Sequence, residues 1–213
     1  MGARCERLVA VAFEAFREGA LAPAREVAHL DDQIDRDEVD IHALILRILA
    51  LRQPVADDLR FLATALRLIT DLERIGDEAV NISERVVEQD GEAKGLVASQ
   101  LSTMATAVCD MLHEALDALV HSDVDRATHV LTSDDAVDDR CDAIVATMTA
   151  HIAKTPGEVR AGLRVIGVAK YLERVADHAT NVAEEVIFIL RGDDVRHGRW
   201  RLSPTLVRNV HRH

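Results

Sequence analysis

From Leu68 to Val86 the apolar residues Leu68, Leu72, Ile75, Ala79, Ile82 and Val86 alternate spacings of four and three. That rhythm is the seam of a helix turned toward a bundle core. Leu172, Val175, Ala179, Val182 and Val186 repeat it near the other end of the chain, and Ile34, Ile41, Leu44 and Ile48 follow a heptad spacing of their own. The pattern predicts six helices, over roughly 3–20, 23–51, 54–89, 96–120, 124–154 and 155–191. Their punctuation is chemical. Gly19 closes the first, and "RQP" stops the second. Pro54 suits the first turn of the third, where a missing N–H costs nothing and Asp57 and Asp58 meet the positive dipole end. "HSD" at 121–123 offers caps to the fifth helix, and "TPGE" at 155–158 opens the sixth.

The polar residues between the seams also repeat. Setting 60–87 against 160–187 gives identities at Arg60/Arg160, Leu72/Leu172, Glu73/Glu173, Arg74/Arg174, Asp77/Asp177, Ala79/Ala179, Asn81/Asn181, Glu84/Glu184 and Val86/Val186. "DDQID" at 31–35 matches "DDAVD" at 134–138 at an offset of 103. A self-similar chain of this kind predicts an all-α fold of two tandem three-helix bundles. The first covers 1–90, with a short first helix, and the second covers 96–191. The polar break "DGEAKG" supplies the linker at 91–95, and a basic tail at 192–213 is expected to be loose.

At about 100° per residue, Glu73, Asp77, Asn81 and Glu84 lie roughly opposite their seam, as do Glu173, Asp177, Asn181 and Glu184. Outward acids on a helix ordinarily form only a solvated face. Here Asp31 and Asp35, with Glu38 and His42 further along, make a second acidic line. From the turn at Gln53, Asp31 and Asp35 lie 22 and 18 residues back, and Glu73 and Asp77 lie 20 and 24 forward. Antiparallel neighbours would then set all four at one height, about 30 Å from the turn. From Thr155, Asp134 and Asp138 lie 21 and 17 back, and Glu173 and Asp177 lie 18 and 22 forward. Four carboxylates on one patch repel unless a cation sits among them, and oxygen donors of this kind suit Mg, Mn, Fe or Zn.

Composition narrows the classes. The chain has 213 residues and a formal net charge of −12, from 25 basic and 37 acidic residues. That disfavours nucleic-acid or anionic-membrane binding by the domain as a whole. No apolar run reaches the ~18–20 residues of a membrane span, and Glu6 and Glu14 interrupt the apolar start, so a soluble, unsecreted chain is expected. Cys5, Cys109 and Cys141 are odd in number and lack a CxxC pair, which fits a reducing cytoplasm. A ferritin-like di-iron or metal-storage protein would need two inward Glu-x-x-His motifs, and only Glu26-x-x-His29 fits. A metal-free helical scaffold is the other alternative. No glycine loop, nucleophile elbow or Cys/His pair points to an enzyme.

The doubled "LERIGDEAVNI" and "LERVADHATNV", each preceded by an Asp-x-x-x-Asp helix, with the "RQPVADDLR" link and the closing "GDDVRH", resemble the PhoU family of phosphate-uptake regulators over about 20–197. The resemblance implies a cytoplasmic protein whose Glu/Asp-x-x-x-Asp/Asn motifs hold metal clusters on the bundle surface. It also implies a homodimer and a negative-regulatory role in phosphate signalling. The implied partners are the ATPase of a phosphate ABC transporter and a phosphate-sensing histidine kinase, which alone would bring the chain to a membrane. Carried over residue by residue, the metal positions are Asp31, Asp35, Glu73, Asp77 and Asn81, and Asp134, Asp138, Glu173, Asp177 and Asn181. Glu38, His42, Cys141, His178, Glu84 and Glu184 are secondary candidates. Cys141 is the repeat counterpart of Glu38, and an inert, packed thiol is its ordinary reading. Arg74 and Arg174 are expected to pair locally with the motif acids.

Overall fold

The structure is a computed structural model that describes residues 1–19, 21–85 and 93–196, with side chains over 1–19, 26–85 and 95–196. Its helices are α1 (Gly2–Glu18), α2 (Leu21–Arg52), α3 (Ala56–Glu84), α4 (Ala93–Leu96), α5 (Ala98–His121), α6 (Val124–Lys154) and α7 (Val159–Arg191). A 3₁₀ turn, Pro156–Glu158, precedes α7. There is no strand among the described residues, and no described helix is long and apolar enough to cross a membrane.

Each punctuation mark can be traced to backbone chemistry. Gly19 ends α1 in the left-handed conformation, at φ 73°, and donates its N–H to Ala15 O. Asp123 caps α6 by accepting the Arg126 N–H at 3.0 Å. Pro54 differs from expectation, because α3 begins two residues later, with Val55 extended ahead of it. The reversal from α2 uses Gln53 at φ 47° and then Pro54 and Val55 to step sideways to the antiparallel helix. The expected end of the third helix, Val86 to Gln89, lies outside the described residues, as do residues 197–213 of the expected tail.

In each repeat, three helices pack around the predicted seams. Ile75, Ala79 and Ile82 of α3 and Leu172, Val175, Ala179 and Val182 of α7 are fully buried. The two bundles are joined along α3 and α7, which run antiparallel. Arg60 Nε donates to Ile189 O at 3.1 Å near one end of the contact, and Arg85 donates to the Tyr171 hydroxyl at 2.7 Å near the other. One continuous apolar core results, shared by both repeats. Arg67 crosses the junction to Glu185, which is 4% exposed, at 2.7 Å.

The short first helix leaves a trace. α1 has 17 residues against 32 in α2 and 29 in α3, and its Arg4 and Arg7 pair with Asp37 and Glu26. Beyond Asp37 no helix among the described residues covers the α2–α3 hairpin on that side. Leu44, expected in the seam, is therefore 53% exposed, and Leu51 and Phe61 are 70% and 49% exposed. Ile45, one residue on, is buried instead. In the second bundle α5 has 24 residues, and Ile144 and Met148 on α6 are fully buried.

Candidate functional site

The register arithmetic holds in both hairpins. In the first, α2 presents Asp31, Asp35 and Glu38 to Glu73 and Asp77 of α3. The Asp31 carboxyl is pushed up to about 6, first by burial and then by the charges of Asp35, Asp77 and Asp32. Glu73 is raised by burial and Asp77, with smaller contributions from Glu38 and Asp35, while Arg74 opposes. Gly76 makes the close approach feasible, since a Cβ there would stand 3.0 Å from Asp31 Oδ1. Arg74 folds onto this face, with Nη1 3.0 Å from Asp77 Oδ2 and Nε 3.5 Å from Glu73 Oε2. It forms the local pair that its sequence position suggests.

The second hairpin repeats the arrangement with different neighbours. Asp134 is pushed up to about 6 by burial, Asp138 and Asp177. Thr180 on α7 faces this carboxylate, and its hydroxyl opposes the rise. Asp138 is raised by burial and then by Glu173. Asp177 is raised by burial, Asp138 and Glu173. Cys141 donates to Glu173 Oε2 at 3.3 Å, and burial followed by Glu173 pushes its thiol up to about 12. The thiol is packed against the acidic face and spends its hydrogen on Glu173. Lys170 Nζ lies 2.7 Å from Glu173 Oε2 and does for this face what Arg74 does for the other. Its repeat counterpart is Thr70, so the internal repeat gave no hint of it.

Several predicted residues are turned elsewhere. Asn181 donates to Asp71 Oδ1 at 3.0 Å, and His178 Nδ1 lies 2.9 Å from the same oxygen. Both residues serve the α3–α7 junction. Asn81 donates to Glu78 at 3.3 Å, and Arg174 reaches across to Glu78 at 3.3 Å instead of pairing with its neighbouring glutamate. Glu184, expected outward, is 8% exposed. The chain after α7 folds back at Gly192 and buries Val195, and burial followed by Glu185 pushes Glu184 up to about 7. His42 and Glu84 are exposed.

Chemically, each face is a convergence of hard oxygen donors held together against repulsion. Among the described residues no three His, Cys, Asp or Glu groups form a ready-made metal cluster. A bound cation would draw side chains inward from these positions. The donor type fits one, since hard carboxylate oxygens converge on each face.

A pH dependence follows. Asp31 and Asp134 have ordinary values of 3.8 and folded values of about 6, so the fold binds more protons than the unfolded chain across that window. Their contribution to stability is fully present below about pH 4 and is lost as pH rises through 6. In chelator, the melting temperature is expected to carry a component that falls from pH 4 to pH 6.5. The D31N/D134N double variant should flatten this component, and an unchanged slope would contradict the assignment.

A helical protein of two repeated bundles with a paired-acid face on each is the class that this architecture defines. A sequence profile described as the PhoU domain matches residues 1–86 and again residues 101–186. The chain belongs to the PhoU family. The phosphate-specific transport system accessory protein PhoU homolog of Pseudomonas aeruginosa is 36% identical over 213 residues, covering 98% of this chain and 87% of that protein. The homolog of the same description from Caulobacter vibrioides is 36% identical over 206 residues, covering 95% and 89%. The crystal structure of PhoU from Pseudomonas aeruginosa superposes with a TM-score of 0.85 at 33% identity, over 91% of this chain and 93% of that one. That of the phosphate transport system regulatory protein PhoU from Streptococcus pneumoniae, at 23% identity and a TM-score of 0.77, shares the fold over 91% of each chain.

Proposed function

We propose that this chain is a cytoplasmic accessory protein of a phosphate-specific transport system, a negative regulator of phosphate uptake and of phosphate-starvation signalling. It works by docking, as a homodimer, between the ATPase of the phosphate transporter and a phosphate-sensing histidine kinase, and it performs no catalysis itself. The observation that carries the reading is kinship along nearly the whole chain with accessory proteins of that system, both repeats included. The paired-acid hairpin, repeated in both bundles, supports a metal role beside it.

Asp31, Asp35, Glu38, Glu73 and Asp77 would hold metal on the first face, and Asp134, Asp138, Glu173 and Asp177 on the second. A bound divalent or trivalent ion supplies positive charge. The chain's own contribution is to present the carboxylates at one height on rigid helices and to offset part of their repulsion with Arg74 and Lys170. The test compares wild type with D31N/D77N and D134N/D177N, reading metal content by mass spectrometry, mass in solution, co-purification with the ATPase and kinase, and phosphate uptake by cells. Metal at 100 times its dissociation constant should raise wild-type stability by about 2.7 kcal/mol, and this gain should vanish in the variants. Unchanged metal content in both variants would remove the metal role. Failure of wild type to bind either partner would overturn the adaptor role.

A further inference from the structure

A cavity of about 470 Å³ opens to the surface between α5 and α6, two helices described over their whole length. The internal repeat shows how it arises. At the offset of 103 that sets 31–35 against 134–138, α1 falls on α5 and α2 on α6. Gly19 and Ser122 then end α1 and α5 alike, in the left-handed conformation. Buried Leu8, Val9 and Ala12 match buried Met111, Leu112 and Ala115.

In the first bundle two ion pairs join these helices, Arg4 with Asp37 and Arg7 with Glu26, and Leu30 is buried on α2. The second bundle has changed all five places. Arg4 and Asp37 become Ala107 and Arg140, Arg7 and Glu26 become Asp110 and His129, and Leu30 becomes Ser133. All five replacements line the cavity. The groove has lost the bulk of a leucine and an arginine, and Arg140 has an alanine where its counterpart has an arginine.

Opposite charges are left at the opening. Arg140 donates one N–H to Ala136 O at 2.6 Å, and a guanidinium has five. Among the described residues no salt bridge reaches Arg140 or Asp110. Glu114, the other acid of the lining, is held by Arg126 at 3.4 Å. Arg126 also pairs with Asp117 at 2.8 Å, and Asp110 lies seven residues before Asp117 as Ser133 lies seven after Arg126. Asp110 therefore stands level with Ser133. Ala136, which receives the guanidinium, is only about 4.5 Å further along α6. The Thr132 and Ser133 hydroxyls both donate to His129 O, so their oxygens remain acceptors. Met111 and Val130 are buried beneath.

We infer that this cavity takes a free α-amino acid. Its ammonium sits on Asp110 and a neighbouring hydroxyl, its carboxylate on Arg140, and its side chain over Met111 and Val130. Such a zwitterion brings an acid to Arg140 and a base to Asp110, partners that the chain itself supplies in the first bundle. A carboxylate matches the guanidinium fork in geometry, and the volume lies within the range of small-molecule pockets.

The test titrates the full-length chain, at constant ionic strength, with L-lysine and L-leucine and with cadaverine and isopentylamine, the same molecules without the carboxylate. Calorimetry and thermal shift are the readouts. D110N, R140Q and S133L are the probes, the last returning the bulk that Leu30 has in the first bundle. D40N, which alters an exposed acid on α2, is the control. Wild type and D40N should bind at least one amino acid saturably, and at least tenfold more tightly than its amine. Each probe should weaken that binding at least tenfold. Absence of saturable binding by wild type would overturn the inference, as would an amine that binds as tightly as its amino acid. Unchanged affinity in D110N, in R140Q or in a folded S133L would do the same. If S133L fails to give a helical circular dichroism spectrum, the two charge variants decide. Neither the metal faces nor the partner proteins enter these measurements.

Discussion

Leu172→Ala is expected to lower the free energy of unfolding by about 2–5 kcal/mol, the range for deleting a fully buried leucine whose surroundings collapse only in part. Leu172 is 0% exposed, on the helix that both bundles share. Its neighbours along the seam, Val168, Val175 and Ala179, are equally buried, so little can move in to fill the space. Leu44→Ala is the control. Leu44 is 53% exposed on α2 where α1 no longer covers it, and a loss within about 0.5 kcal/mol is expected. Urea unfolding followed by circular dichroism measures both. Similar losses for the two would mean that the far end of the first hairpin is covered in solution.

Arg67→Ala should be nearly as costly, at about 3 kcal/mol, because it strands a buried carboxylate. Glu185 is 4% exposed and has Arg67 as its direct partner across the bundle junction. The arginine also lies 5.4 Å from the centroid of the Phe188 ring, so its stem and its charge are both lost. Arg196, whose charge acts on Glu185 from the returning chain, keeps the figure at the lower end of the range. The R67M/E185L double variant removes both charges and should recover most of the loss. If R67A were neutral, the junction would owe its stability to the apolar seam alone.

The seams were legible because they depend on local geometry only. A period near 3.5 residues with Leu, Ile, Val and Ala at fixed places must put those side chains on one side of a helix, whatever it packs against. The height of the acids was legible for a similar reason, since equal rise per residue in two antiparallel helices converts residue counts into distances. Other features fell between these rules. Asn181 and His178 sit on the flank of α7, between its seam and its acids, and their roles depend on α3 lying against that flank. Glu184 belongs to the acidic stripe by spacing and is nevertheless buried, with Asp194 and Arg196 of the returning chain near it. Lys170 and Gly76 break the repeat, so self-comparison passed over them.

By itself the sequence determined the helices, their inward faces, the doubling of the unit and the pairing of acids in each hairpin. Each of these follows from spacing along a regular helix. Only the tertiary structure decided that the two units share one core along α3 and α7, and that this junction takes up Asn181, His178, Arg174 and Glu185. Contacts between helices far apart in sequence depend on which flank meets which. That is set by the packing of whole surfaces, a property that no short stretch of chain contains.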